Sequence, residues 1–134
     1  MNELNALNVQ QAVTVDGDVE IRTGGNLVLE TLTAGAGGNA LLVSGGNITQ
    51  TTGKLGASFL EATANGGIRL ITAVDSANIS ASGAQSGSIE IFEDDDITLL
   101  DIDTVQGAIE VLAGGLIEAV DVATTGAWTA LTSR

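Results

Sequence analysis

Residues 87–126 contain one strand-and-turn unit that occurs twice in succession. The segments G-S-I-E-I-F and G-A-I-E-V-L begin at Gly87 and Gly107, and I-T-L-L-D-I and I-E-A-V-D-V begin at Ile97 and Ile117. Apolar residues align with apolar residues in both comparisons. Self-similarity at a fixed period of about 20 residues is typical of a solenoid, in which each repeat stacks on the one before it.

A weaker form of the same signal recurs along most of the chain. It consists of a turn-forming residue, one spacer and an aliphatic residue that begins an alternating strand. The aliphatic starts come in closely spaced pairs, such as Val19 with Leu27 and Ile89 with Ile97. The pattern predicts an all-β right-handed parallel β-helix with about 20–21 residues and three short strands per coil, and roughly five to six coils.

The first strands of successive coils are expected to start at Val19, Ala40, Ile68, Ile89 and Ile109, with Trp128 as the candidate start of a further coil. The step from Ala40 to Ile68 is longer than the other steps in this alignment, so we expect an insertion near residues 51–58 that protrudes as a loop. The predicted divisions are an irregular first coil or N-terminal cap over 1–15, the β-helix repeat domain over 16–128, and a C-terminal tail over 129–134.

Residues 108–123 are a stretch whose apolar pattern also fits a helix. Gly114 and Gly115 interrupt that pattern, and a helix would lose backbone entropy at both positions and break the repeat. We therefore predict strands. The expected inward stacks are Ile89 on Ile109, Ile91 on Val111, Ile97 on Ile117, Leu99 on Ala119 and Ile102 on Val122. The residues expected to face outward are Glu90, Thr98, Glu110 and Glu118, with Glu90 over Glu110 as an unfavourable like-charge stack.

The composition fits a narrow aliphatic interior with many tight turns. The chain has 18 Gly, no Pro, no Cys, no His, two Phe, one Trp and no Tyr. Its formal charge of −13 disfavours binding to nucleic acid and to anionic membranes. No apolar run reaches the roughly 18–20 residues of a membrane span. Residues 1–12 lack the basic start and apolar centre of a signal peptide, so an export signal is expected outside this chain.

The repeated Gly-x-aliphatic-polar-aliphatic units, as in G-N-L-V-L from Gly25 and G-S-I-E-I from Gly87, resemble the β-helical shaft of bacterial filamentous-haemagglutinin-like exoproteins. The resemblance covers about residues 16–128. The Asn-Pro motifs of that family's secretion module are absent, because the chain has no proline. The resemblance implies a secreted or surface-anchored adhesin of which this chain is an excerpt or a small relative, and it supplies no catalytic residues.

The densest group of carboxylates is Glu93 with Asp94, Asp95 and Asp96. Calcium takes six to eight oxygen ligands, and three consecutive aspartates with carbonyls of a neighbouring coil would supply them. Calcium at Asp94, Asp95 and Asp96 is therefore the one metal or cofactor hypothesis for the chain. The alternative is a hydrated acidic turn, because the next coil has G-G-L at this register and the calcium-binding G-G-x-G-x-D repeat is missing.

Other candidate sites have structural interpretations beside the functional ones. Asp101 and Asp121 should stack one coil apart, as a paired acid site would, yet their repetition at equivalent positions favours a structural ladder. Lys54 on the predicted insertion is either a receptor contact or an ordinary surface charge. Trp128 is expected to plug the end of the apolar channel, the alternative being an exposed platform for a ligand.

The function expected from these features is structural and non-catalytic. The first hypothesis is a shaft or spacer of a secreted or cell-surface bacterial adhesin, with a host receptor or glycan as partner. The alternative is self-association through the open ends of the β-helix, which would build an extracellular filament. A carbohydrate-active β-helix enzyme is a minor alternative, since the chain has four cationic residues, no His and almost no aromatic platform.

Overall fold

A computed structural model describes residues 2–35, 37–83 and 87–134, and none of these residues is helical. The strands are β1 Asn2–Glu3, β2 Leu7–Val13, β3 Val19–Thr23, β4 Leu27–Thr33, β5 Asn39–Ser44, β6 Ile48–Gln50, β7 Leu55–Ala64, β8 Ile68–Ala81, β9 Ile89–Glu93, β10 Ile97–Thr104, β11 Ile109–Ala113, β12 Ile117–Ala119, β13 Val122–Thr124 and β14 Thr129–Ser133.

All strand pairs in the described chain are parallel, and each joins a coil to the coil above or below it. Leu27 lies opposite Ile48, and Ile48 in turn lies opposite Ile68, so one coil separates each residue from the next. The chain therefore winds as a β-solenoid of about six coils with the predicted repeat length.

Columns of residues, one from each coil, build the core, and two of them can be followed through most of the chain. The first column runs through Leu7, Leu27, Ile48, Ile68, Ile89, Ile109 and Thr129. The second runs through Val19, Ala40, Leu60, Ala77, Leu99 and Ala119. The buried hydrophobic residues are all Ile, Leu, Val or Ala, so the interior is the aliphatic channel that the composition predicts.

The register of the stacks predicted for residues 87–126 is confirmed, although Ala119 in the last coil is exposed. Ile89 pairs with Ile109, Ile97 with Ile117, and Ile102 with Val122, each one coil apart. Residues 108–123 contain β11, β12 and part of β13, so the helical interpretation of this stretch is wrong. Glu90 also pairs with Glu110 as predicted.

The predicted long step between the coil starts Ala40 and Ile68 does not occur. These two residues belong to different columns, so they do not mark equivalent positions of successive coils. Ala40 pairs with Leu60, whereas Ile68 pairs with Ile48. Residues 55–57 belong to β7 and pair with β4 or β8, so only residues 51–54 leave the β conformation there. The expected insertion near 51–58 is thus a short turn inside a coil of ordinary length.

Strand number varies from coil to coil. β8 is 14 residues long and rounds a corner without a break, whereas the coil that begins at Ile109 carries β11, β12 and β13 as separate strands. The stack also continues on both sides of residues 16–128, because β2 pairs with β4 and β14 pairs with β11.

The spacer residue of the Gly-x-aliphatic motif has a structural role that the sequence pattern did not reveal. The side-chain Oδ1 of Asn26 accepts the N–H of Asn47 at 2.9 Å, and Oδ1 of Asn47 accepts the N–H of Gly67 at 2.8 Å. Oδ1 of Asp96 accepts the N–H of Leu116 in the same way at 2.7 Å. The spacer therefore satisfies a backbone donor in the turn of the next coil.

Hydroxyl groups at the ends of strands satisfy the turn carbonyls. Ser44 Oγ donates to the carbonyl of Gly25 at 2.8 Å, and Thr104 Oγ1 donates to the carbonyl of Gly87 at 2.9 Å. Both side chains are buried at the corner between strand and turn. Side-chain bonds of this kind replace backbone pairs where the ladder is interrupted.

Turns of neighbouring coils approach so closely that some positions exclude a side chain. A Cβ at Gly45 would lie 2.2 Å from the carbonyl oxygen of Gly24 in the coil below. A Cβ at Gly56, by contrast, would meet nothing within 4 Å.

We predict that Gly45→Ala lowers the free energy of unfolding by about 2 kcal/mol, because the backbone must move to accommodate the methyl group. The matched variant Gly56→Ala should change stability by no more than about 0.5 kcal/mol. Urea denaturation of both variants measures the difference. Equal effects of the two substitutions would contradict the close approach of the coils at Gly45.

Candidate functional site

Glu93, which opens the acidic run, points into the solenoid and is only 6% exposed. Its Oε2 accepts the hydroxyl of Thr72 at 2.7 Å and the N–H of Val74 at 3.1 Å, and its Oε1 accepts the N–H of Asp94 at 3.0 Å. β8 continues through Val74, whereas the next coil turns at residues 94–96. The carboxylate of Glu93 therefore supplies the acceptor for the N–H of Val74 that a backbone carbonyl would otherwise provide.

The inward orientation of Glu93 follows from strand alternation. Ile89 and Ile91 are buried, and Glu93 is the next residue on the same side of β9. Sequence reasoning grouped Glu93 with the aspartates that follow it and missed this signal.

The three aspartates predicted to bind calcium are exposed, and the side chains of two of them have partners elsewhere in the chain. Asp94 forms an ion pair with Lys54, and Asp96 accepts the N–H of Leu116. Among the described residues, no group of three or more Asp, Glu, His or Cys side chains is arranged to hold a metal ion. Asp94, Asp95 and Asp96 form the turn between β9 and β10, and calcium binding at this turn stays a prediction.

Lys54 and Asp94 connect two coils that are not adjacent. Lys54 lies in the turn before β7, and its ammonium group reaches over the coil formed by β8 to Asp94. The hydrogen bond from Lys54 to Asp94, with the charges of Asp94, Asp95 and Glu93, raises the pKa of Lys54 above its ordinary value of 10.5. Lys54, predicted either to contact a receptor or to be an ordinary surface charge, is thus engaged in an ion pair within the chain.

Asp101 and Asp121 lie in neighbouring coils, both exposed, in agreement with the predicted stack. Asp101 pairs in register with Asn78, and Asn78 with Glu61. A shallow acidic groove follows this outer face, and Asn78 Oδ1 inside it is buried without a hydrogen-bond partner.

A second groove, of about 340 Å³, lies on the outer face of β6, β8 and β9. Arg69 forms an ion pair with Glu90 in this groove, and its guanidinium lies 4.7 Å from the centre of the Phe92 ring. Glu90 in turn stacks against Glu110. Arg69 therefore supplies the positive charge that offsets the predicted like-charge stack.

Trp128 does not plug the channel, and its side chain is 58% exposed. It immediately precedes Thr129, so it occupies the spacer position that Asn26 and Asn47 hold in earlier coils. Spacer side chains lie at the corner of the coil, outside the aliphatic channel. The predicted plug was wrong because the register places Thr129, and not Trp128, in the inward column.

Comparison with known proteins found no matching protein family, no matching curated protein and no matching solved structure. No helix long and apolar enough to cross a membrane occurs in the described part of the chain. The stacked parallel coils and the side-chain ladders at their corners define the class of the molecule, which is a β-solenoid repeat protein.

We predict that Glu93→Ala lowers the free energy of unfolding by about 2–3 kcal/mol, because it leaves the Thr72 hydroxyl and the Val74 N–H buried without acceptors. The control is Glu110→Ala, because Glu110 is an exposed glutamate in the adjacent coil of the same sheet. This substitution should lower the free energy of unfolding by less than about 0.5 kcal/mol. Thermal and urea unfolding provide the measurement. A loss no larger for Glu93→Ala than for Glu110→Ala would show that Glu93 does not close this corner.

The ion pair of Lys54 predicts that this one residue controls how the free energy of unfolding changes with pH in the alkaline range. The chain has no Tyr, no Cys and no other Lys, so Lys54 is the side chain that titrates between about pH 9 and about pH 12. Because its pKa is raised in the folded state, its contribution is complete below pH 10.5 and is lost as the pH rises through the higher folded value.

Lys54→Gln should remove this loss of stability at alkaline pH. Near neutral pH, the stability of the variant should change with pH in the same way as that of the parent chain. Urea midpoints measured across the alkaline range test the prediction. Identical alkaline profiles for the two proteins would mean that the Lys54 to Asp94 pair does not form in solution.

Proposed function

We propose that this chain is a structural shaft segment of a secreted or surface-anchored bacterial adhesin, that it is non-catalytic, and that it holds other parts of the protein at a fixed distance. The observation that carries the proposal is the unbroken parallel ladder through about six coils. With coils about 4.8 Å apart, six coils give a rod of about 30 Å along the solenoid axis.

The chemistry of the repeat supports the resemblance to filamentous-haemagglutinin-like shafts. The units that carry the resemblance combine a turn glycine, a polar spacer and an alternating strand. Gly46, Asn47 and Ile48 illustrate the three roles, which are close approach, capping of the next coil and burial in the channel. A sequence selected for these roles is selected for stacking one coil on another, which is what a shaft requires.

The arrangement of charges favours a non-catalytic role. The carboxylates of the acidic groove, Glu61, Asp101 and Asp103, are exposed, and no arginine or lysine lines that groove in the described chain. Arg22 and Arg69 form ion pairs outside it. A host receptor or a glycan would meet the outer faces of the sheets, and we propose these faces as the contact surfaces of the shaft.

A rigid shaft predicts a narrow distance distribution between its two ends. Asn8 and Glu110 are exposed and occupy one outward column five coil steps apart, a backbone separation of about 24 Å. Since the chain has no cysteine, Asn8→Cys and Glu110→Cys allow two spin labels to be placed without background. Pulsed electron spin resonance should give one narrow peak.

The same doubly labelled protein in denaturant provides the control, and it should give a broad distribution at longer distances. A broad distribution under native conditions would contradict the shaft. Location is tested separately with antibodies against the chain on intact cells of the source organism. Labelling of intact cells supports the adhesin proposal, and labelling only after lysis would overturn it.

A further inference from the structure

Asn65 is the only asparagine in the sequence that a glycine follows. An Asn–Gly pair carries a reaction of its own, because the backbone nitrogen of the glycine can attack the side-chain carbonyl carbon of the asparagine. Glycine has no Cβ, so no side chain hinders the attacking nitrogen and the backbone can adopt the conformation that the attack needs. Among the asparagines of this chain, the reaction is therefore sterically easiest at Asn65.

The side chain of Asn65 has no structural task in the fold. Asn65 lies in the bend between β7 and β8, where it is exposed, and its side chain forms no hydrogen bond with the described residues. Asn26 and Asn47, by contrast, each use the side-chain oxygen to accept an N–H of the next coil. The amide of Asn65 is thus accessible to a nucleophile.

The backbone of the pair, however, is bound to the coil below. The N–H of Gly66 donates to the carbonyl of Gly46 at 2.9 Å, and the N–H of Gly67 donates to Oδ1 of Asn47 at 2.8 Å. The bonded nitrogen of Gly66 is the one that must attack Asn65. In the stacked coil, the nucleophile of the reaction is therefore occupied.

These hydrogen bonds decide when the reaction can occur. A nitrogen whose proton is bound by a carbonyl does not lose that proton and turn toward a side chain at the same time. The corner must first separate from the coil below. Local openings of this kind take less free energy than unfolding of the whole chain, so they occur while the rest of the solenoid stays folded.

We propose that Asn65 is a site of self-modification that reacts only when this corner opens, so that the modified residue marks chains in which the coils have separated. The Gly66 nitrogen loses its proton to a base in the solvent and bonds to Cγ of Asn65. The Cγ–Nδ2 bond breaks, and the side-chain nitrogen takes up a proton and leaves as ammonia. Water then opens the cyclic imide at either carbonyl, which gives aspartate or isoaspartate without an oxidant or a cofactor.

The two products differ in their effect on the stack. Aspartate keeps the main chain unchanged and adds one negative charge at an exposed position. Isoaspartate directs the main chain through the former side chain, which inserts a CH₂ group before Gly66. The N–H groups of Gly66 and Gly67 then no longer lie in register with their acceptors in the coil below. A corner that carries isoaspartate therefore stays open.

The first test compares the folded and the unfolded chain, and it is independent of the proposed shaft role. The full 134-residue chain is incubated in mildly alkaline buffer with and without urea, and peptide mass spectrometry follows the loss of the Asn65 amide. The rate in urea should exceed the rate in the folded chain by about tenfold or more, because only an open corner reacts. Equal rates in the two conditions would overturn the proposal.

A matched pair of variants separates opening of this corner from general loss of stability. Asn47→Ala removes the acceptor of the Gly67 N–H, and Asp96→Ala removes the same kind of bond, to the N–H of Leu116, at a different corner. In the folded chain, Asn47→Ala should raise the rate at Asn65 about tenfold, and Asp96→Ala should leave it unchanged. Acceleration by both variants to the same extent, or by neither, would overturn the proposal.

Discussion

The structure depends on the hydrogen-bonded contact between one coil and the next, which recurs along the first inward column from Leu27 to Ile48 and from Ile48 to Ile68. This contact fixes the position of each backbone group, and it brings residues of the same type into columns. Because a shift by one residue would turn every inward side chain outward, the aliphatic columns and the backbone ladder specify each other. The solenoid needs neither disulfides nor a globular core of aromatic residues.

The corners are where this contact is interrupted, and polar side chains complete it there. Gln50 is fully buried, accepts the N–H of Ile71 at 2.9 Å and donates to the carbonyl of Glu30 at 2.5 Å. Glu93 has the same role two coils later. Buried polar groups with complete hydrogen bonding maintain the ladder past a turn, so the apparent irregularities of the repeat are part of the stack.

The sequence was sufficient for the fold wherever neighbouring coils carry the same signal. Ile89 and Ile109 begin identical patterns, and their stacking could be predicted directly. Leu60 and Ala77 could not be placed, because neither follows a glycine and a spacer as Ala40 does. The corner contacts of Glu93 escaped prediction for another reason: they depend on whether the coil below turns or runs straight, which local sequence does not encode.

Surface side chains are as hard to place from local sequence as the corner contacts are. A run of acidic residues indicates charge, but it does not indicate that one carboxylate turns inward and another pairs with a lysine two coils away. Trp128 illustrates the limit at the end of the repeat, where a shift of one residue separates a channel position from a spacer position. Side-chain roles in a solenoid are set by register, and register is known only once the columns are aligned.

The most direct test of the account is a set of methyl–methyl nuclear Overhauser effects between isoleucine side chains. The columns predict a series of strong cross-peaks that connect Ile48 to Ile68, Ile68 to Ile89, and Ile89 to Ile109. Absence of a cross-peak between Ile89 and Ile109, with helical amide contacts across residues 108–123 in its place, would contradict the stacked coils.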